Sequence, residues 1–460
     1  DLSNSGAFGG SAGDDAITFQ NSGAVLFRNN VNLGSTTQGI TLGSGQTKIE
    51  IAGTSTGTVA GKISGPATNS VQFYLGNASS AMLLANTNNN WAGETTLNAA
   101  AGFGTLRLGA AGVVPDTGGV VHVTSAARLD LNGFTERIGG LGGAGRIDNM
   151  LAGSSATLIV GANNGSTNFT GSMTNSGAGA TLNIAKVGSG TWTLQSTNLY
   201  YGGTLSISGG VVVLTTTTNG SLGATTTNAV VINGAGLHGS FSNTAFFFNP
   251  VVIGAAGAEL RNLGDDTQRW LFYPPVGGLT GSGIVTMSFG SAVTRFIVTN
   301  NQPSFTGKFV INSAGNVDKL VDVYHGGAFG AGTGDDVLTL VSNGSVILRQ
   351  NVTLGGPSQG ITLGSGTSFI EGAGNATSVI AGKLSGSVSN GLTLYLENAG
   401  TVLIVSNTAN SWLGSTTLAN TGTLRIGASG VIPNAGNSWT LQPAVTIDLN
   451  GQSETFGGIT

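Results

Sequence analysis

The residues able to do acid–base chemistry are few, and the acids come in pairs. Three Gly-Asp-Asp triplets occur: Gly13-Asp14-Asp15, Gly264-Asp265-Asp266 and Gly334-Asp335-Asp336. Two carboxyl groups brought together can serve as general acid and base on a glycosidic bond, the chemistry of a carbohydrate-active enzyme. Adjacent residues on a strand point to opposite faces, however, so a pair in sequence need not be a pair in space. A turn aspartate whose carboxylate bonds to nearby N–H groups accounts for each triplet more simply. The partners such chemistry needs are scarce. The only histidines are His122, His238 and His325, and no Lys or Arg cluster accompanies the acids. The calcium-binding nonapeptide Gly-Gly-x-Gly-x-Asp has a poor match in Gly9 to Asp14 that is not reiterated, which leaves a cation at Asp14 and Asp15 as an alternative. The expectation is therefore a non-enzyme with no catalytic, cofactor-binding or metal-binding residues.

One stretch has a different character. Arg261 to Pro275 gathers Asp265, Asp266, Arg269, Trp270, Phe272, Tyr273, Pro274 and Pro275 in a chain where aromatic and charged residues are otherwise sparse. Asp265, Asp266, Arg269, Trp270 and Tyr273 form a candidate interaction loop, for stacking on a sugar or meeting a neighbouring chain. The simpler alternative is an irregular coil whose aromatics cap the core. Phe246-Phe247-Phe248 reads as core with at least one ring facing outward.

Composition limits what can position these residues. The chain has 460 residues, of which 79 are glycine, none is cysteine and 8% are charged, for a formal charge of −4. The glycines follow no three-residue period, so collagen is excluded, and 39% hydrophobic residues in short β-branched runs argue against disorder. Sixteen scattered cations offer little to neutralise a phosphate backbone, which speaks against a nucleic-acid partner. No run approaches the ~18 to 20 apolar residues of a membrane helix, so no membrane insertion is expected of this segment. Zero cysteines removes disulfides and thiolate metal sites.

Internal repetition decides the architecture. Residues 7–97 align with residues 328–418 at a constant offset of 321, pairing Ala7-Phe8-Gly9 with Ala328-Phe329-Gly330 and Trp91 with Trp412. The register then slips by three, so that Thr105-Leu106-Arg107 matches Thr423-Leu424-Arg425 and Asp130-Leu131-Asn132-Gly133 matches Asp448-Leu449-Asn450-Gly451. The chain thus divides into one super-repeat over 1–321 and the start of a second over 322–460, homologous to 1–142. This is the pattern expected of a window within a longer tandem array. Retained charges include Arg28 with Arg349, Glu50 with Glu371, Lys62 with Lys383, Arg107 with Arg425, Asp130 with Asp448 and Glu136 with Glu454, whereas His325 is matched by Asn4. A catalytic centre has no need to recur in this way, so these charges read as structural.

A shorter unit lies inside the long one: a polar residue, an aromatic close behind it, then a glycine. The corner aromatics are Trp91, Phe169, Tyr200, Phe305 and Trp412. Between corners, apolar residues alternate with Thr, Ser or Asn, as in Thr191-Trp192-Thr193-Leu194, which is the period of a strand, and no amphipathic helix is found. Asn-Gly hairpin turns are not the dominant connector, so a right-handed parallel β-helix explains the spacing better than a sandwich. At roughly 22 residues per coil the chain would make about 20 coils. Glycine and asparagine are expected at the bends, where φ turns positive.

The segments Gly188-Ser189-Gly190-Thr191-Trp192-Thr193-Leu194, Asn198-Leu199-Tyr200-Tyr201-Gly202-Gly203-Thr204-Leu205 and Gly220-Ser221-Leu222-Gly223 resemble the autotransporter-associated β-strand repeat. The resemblance recurs over most of the chain and is weakest at about residues 224–290. It implies a β-helix of the kind found in passenger domains and giant surface proteins of Gram-negative bacteria, hence an extracellular or cell-surface location. The function expected is a structural rod, fibre or filament whose partner is itself, through end-to-end or lateral assembly. The alternatives are an adhesin binding surface glycans or a host surface through lateral loops, and a β-helix carbohydrate-active enzyme.

Overall fold

The alternating pattern folds as written. In the strand Asn69–Leu75, burial alternates residue by residue, with Val71, Phe73 and Leu75 inward and Ser70, Gln72 and Tyr74 outward. A computed structural model describes the chain except for residues 117, 196–198, 216–221, 223–227, 242, 265–268, 291–293, 315–319, 435–436 and the side chain of Tyr200. Every named strand among the described residues is β, with no helix, and successive turns pair in parallel.

Two compact units are present, one comprising residues 1–216 and 220–230 and the other residues 231–460. Each is a β-solenoid whose turns contribute up to three strands, one to each of three faces. Within the first unit, the strands Gly45–Ile51, Asn69–Leu75, Thr95–Ala99 and Val120–Val123 stack on one face. Their register places Ile49, Phe73, Leu97 and Val123 in a single buried column. Each such side chain removed from water contributes about 1.5–3 kcal/mol before conformational entropy is subtracted. Within the second unit, Phe309, Leu338 and Ile361 form the corresponding column.

The turn count comes to about 17 rather than about 20. Partners on adjacent turns are separated by 20 residues at Val120 and Gly140, 26 at Thr95 and Val121, and 29 at Phe309 and Leu338. The extra length goes into corners that leave the sheet, such as 109–119, whose described residues contribute no strand to the third face.

Asparagine works between turns as well as at bends. Asn89 accepts from Ile63 N at 2.7 Å and donates to Val113 O at 2.8 Å, so one buried amide clamps the turn before to the turn after. Asn410 does the same between Leu384 N and Val431 O, at 2.7 and 2.9 Å. The corner tryptophans are locked alike: Trp91 Nε1 donates to Thr95 Oγ1 and Trp412 Nε1 to Thr416 Oγ1, both at 2.9 Å.

The glycine two residues after the aromatic has a reason that differs from expectation. Gly93 and Gly414 do not sit in the left-handed region. A Cβ at either would instead fall well inside 3.0 Å of a backbone carbonyl on the preceding turn, that of Asn69 or Asn390, and Gly171 and Gly307 meet carbonyls in the same way. These glycines are fixed by the approach of one turn to the next. The fifth corner is shifted by one: Tyr201 is the buried ring there, and Gly203 is the glycine pressed against a preceding carbonyl.

The three-residue slip between the copies has a direct structural counterpart. Thr95–Ala99 and Gly104–Leu108 are separate strands joined by a corner, whereas the shortened segment runs as one strand, Thr416–Ile426. Replacing Gly93 by Ala should cost about 2–3 kcal/mol, because a backbone oxygen cannot give way as a flexible side chain can. Gly10→Ala, with nothing within 4 Å of the new methyl, should stay within about 0.5 kcal/mol of the parent. Denaturant midpoints of the two variants check this, and equal effects would refute it.

Candidate functional site

The acid pairs lie on strands with an irregular register. The pairing of Gly13–Thr18 with the next turn slips between Gly13 and Ile17, and that of Gly334–Val341 slips between Gly334 and Leu338. Both irregularities present an exposed aspartate to a lysine two turns on: Lys62 Nζ lies 2.7 Å from Asp14 Oδ2, and Lys383 Nζ 2.6 Å from Asp335 Oδ2. Asp336 takes Lys308 at 2.7 Å. These carboxylates are engaged by ammonium groups, the arrangement of a tie between turns rather than of an acid–base pair. Asp265 and Asp266 lie outside the described residues. Among the described residues, no three His, Asp or Glu side chains gather to hold a metal.

The described residues of the Arg261 to Pro275 stretch face partly inward and partly outward. Strand alternation over Arg269–Phe272 turns Trp270 inward, 0% exposed, where its ring lies 5.2 Å from Phe296, 5.7 Å from Phe241 and 6.3 Å from Phe247. Trp270 is therefore a core residue and not part of a protruding loop. Arg269 faces solvent and Tyr273 is half-buried. Tyr273 stands 5.8 Å from Phe248, whose ring stacks on Phe246 at 5.8 Å and 9°. Phe246 is 43% exposed while Phe247 points inward, so Phe246, Phe248 and Tyr273 make an aromatic shelf on the outside of the second unit.

His238 belongs to a neighbouring cluster. Its Nε2 lies 3.1 Å from Glu259 Oε2, and Ser288 Oγ donates to Glu259 Oε1 at 2.6 Å. The hydrogen bond with His238 holds the Glu259 carboxyl down at about 2. The carboxylate sits between imidazole and hydroxyl, so the imidazole does not contact the serine oxygen it would have to activate in a nucleophilic triad.

A third cluster was not singled out by sequence. On the second face of the first unit, Arg107 Nε lies 2.8 Å from Asp130 Oδ2 and Arg128 Nε 3.8 Å from Asp148 Oδ2, with Phe103 over Arg128 and Arg146. Recurrence pointed to Arg107 and Asp130 only. The available signal for the rest was the three-residue slip: the shortened segment 419–422 carries no aromatic, and Thr446 stands where the first copy has Arg128.

The recurring charges fit the framework. Glu136 is fully buried and accepts from the N–H groups of Gly112, Val113 and Val114 at 2.8, 3.3 and 2.7 Å, closing the strandless corner. Glu454 accepts from Val431 and Ile432 at 2.6 and 3.1 Å. Arg425 meets Asp448 at 2.8 Å, matching Arg107 and Asp130. In the second unit Arg295 and Arg349 share Asp322, each at 3.5 Å, beside Glu371 and Glu397. Burial pushes the Glu371 carboxyl up to about 7 against the pull of Arg349.

Compared with known proteins, the chain is 33% identical over 182 aligned residues to the adhesin BmaC autotransporter of Brucella suis biovar 1 (strain 1330). The match covers 37% of this chain and 5% of that much longer protein. The similarity to an autotransporter adhesin and the β-solenoid fold agree. No family model matches the chain, and no solved structure matches it.

The raised Glu371 carboxyl sets a pH dependence. Its folded value lies above the ordinary 4.5, so the native state binds the extra proton between about pH 4.5 and 7 and loses stability as pH rises through that window. Glu371→Gln should reduce the slope of this part of the stability curve, leaving the share of Glu136, whose carboxyl burial likewise pushes up to about 7, and the acid side unchanged. Denaturant midpoints measured from pH 4 to 8 check it, and an unaltered slope in the variant would count against the assignment.

Proposed function

We propose that the chain is a length of stalk from an extracellular, non-enzymatic surface protein of a Gram-negative-type bacterium, with a mechanical role. The observation that carries this reading is that ties between turns recur at matched positions. The Asn89 and Asn410 clamps, the Lys62–Asp14 and Lys383–Asp335 pairs and the Glu136 and Glu454 corner closures repeat with the sequence, as do the Trp91 and Trp412 locks within a turn. A chemical centre is needed once, whereas a structural tie is needed in every period. In a stacked array each turn contacts only its neighbours, so such ties add along the chain and resist pulling locally. The similarity to an autotransporter adhesin supports a location outside the cell.

A second reading rests on the shelf of Phe246, Phe248 and Tyr273: an adhesive contact to sugar faces or a partner protein made from the side of the stalk. An exposed ring flanked by two half-buried ones is the kind of surface that sugar rings stack on. Self-association, end to end or side to side, belongs to the first reading as a further proposal.

Antibodies raised against residues 1–230 should label intact cells of the source bacterium in projecting structures, and brief protease shaving should remove the label. Labelling only after permeabilisation would overturn the surface assignment. For the second reading, Phe246→Ser with Tyr273→Ser should lower attachment of the purified chain to host-cell or glycan surfaces at least about fivefold without moving its thermal midpoint. Unchanged attachment would eliminate the shelf as an adhesive site.

A further inference from the structure

One group of side chains in the first unit is explained by the repeat only at Arg107 and Asp130. On the second face, Arg107, Asp130 and Asp148 are neighbours in register, and beside them Thr105, Arg128, Arg146 and Ser172 form the adjacent column. Both aspartates are 0% exposed and fully used. Asp130 accepts from Arg107 Nε at 2.8 Å, Asn132 N at 3.0 Å and Met150 N at 3.1 Å. Asp148 accepts from Ser176 N at 2.9 Å and Ser176 Oγ at 2.8 Å, with Arg128 at 3.8 Å. Three guanidinium groups thus face two carboxylates, and the excess falls on Arg146.

Arg146 has no carboxylate within salt-bridge reach among the described residues, and its Nε, like that of Arg128, is buried without a hydrogen-bond partner. The guanidinium carbon lies 3.9 Å from the centroid of the Phe103 ring. Such a contact restrains the plane of the group while leaving its donors available. Arg146 lines a cleft of about 400 Å³ together with Phe103, Ser125, Thr170, Ser172 and Thr174. The cleft therefore offers a planar cation backed by an aromatic ring and flanked by hydroxyl groups.

An unpaired surface arginine is ordinarily a solubilising group, but its guanidinium is then free to move in water. Here part of it is buried against a ring, and the corner that carries the ring is absent from the second copy, where Thr446 replaces Arg128. We propose that the cleft formed by Phe103, Arg146, Ser125, Thr170, Ser172 and Thr174 binds a uronate residue of an acidic polysaccharide. The planar guanidinium matches a carboxylate in a two-pronged hydrogen bond, and the hydroxyl groups match the donors and acceptors of a sugar ring. Parallel strands about 4.8 Å apart also set Arg146 and Ser172, register partners on adjacent turns, on the scale of one sugar unit. A protein partner fits less well, because the Phe103 ring is taken up by two guanidinium groups and no dry apolar pocket remains for an anchoring side chain. This site is independent of the aromatic shelf and of the mechanical reading, since removing it leaves every repeated tie in place.

The test is calorimetric titration of the 460-residue chain with short oligogalacturonate, alongside its methyl ester and neutral dextran oligomers. The free acid should bind, with the ester and dextran at least about tenfold weaker. Arg146→Gln should weaken binding of the free acid by about tenfold or more, the scale of a lost charge-assisted pair, with an unchanged thermal midpoint. Should that variant unfold, Arg146→Lys decides the matter: it keeps the charge but loses the plane, and should bind severalfold more weakly in a folded chain. No binding of oligogalacturonate, equal binding of acid and ester, parent-like binding by the folded Arg146 variants, or tighter binding of oligoglutamate would each overturn the proposal. None of these outcomes bears on surface labelling of cells.

Discussion

Everything in this structure depends on each turn reproducing the path of the turn before it. Parallel pairing leaves one strand's N–H and C=O groups to be met by the next turn, with the same spacing, on every face. A turn may lengthen at a corner, but in the sheets it keeps register apart from local slips such as those after Gly13 and Gly334. The corners therefore carry the exacting residues, because there the backbone must pass close to the carbonyl beneath it, return to register and bury its own polar groups. Gly93 and Gly414 are the price of that approach, and the Asn89 and Asn410 amides supply the hydrogen bonds that the corner backbone would otherwise lack.

Much of this was legible because a solenoid writes its rule many times. Period-two alternation identified the strands, and recurrence at 321 and then 318 residues identified positions under the same constraint. What was less legible was the cause. Glycine after an aromatic suggests a bend with positive φ, but the demand comes from another turn, about 24 residues away between Asn69 and Gly93, and no local pattern records it. The same limit explains Trp270, which looks like a loop aromatic beside charges and prolines until the turns on either side place Phe247 and Phe296 against it. It explains the coil count too, since corners of unequal length are invisible to a search for one fixed period.

The charges divide along the same line. Asp130, Glu136 and Asp148 are buried, and a buried carboxylate is tolerated only when its hydrogen bonds are complete. Asp130 closes two neighbouring corners as well as an arginine, Glu136 closes three N–H groups, and Asp148 fastens the turn that contains Ser176. Such groups set the path of the chain more than they add stability, because an apolar substitute would gain hydrophobic contact but leave the corner amides unpaired. The exposed pairs, Lys62 with Asp14 and Lys383 with Asp335, contribute little energy and are better read as marks of register.

A periodic framework also changes how a departure from period is to be weighed. In an ordinary globular domain, Phe103, Arg128 and Arg146 would be three unremarked residues, one from a corner and two from strands. Here the alignment supplies an internal control: Arg107 and Asp130 are needed wherever this corner occurs, since Arg425 and Asp448 repeat them at the same 2.8 Å. Phe103 and Arg128 are not needed, since Thr416–Ile426 makes the same passage as one strand without them. Whatever keeps an aromatic ring under a partly buried guanidinium is therefore not the closure of the turn. The fold accounts for the repeated charges, and Phe103 with Arg128 is an addition particular to the first copy of the corner.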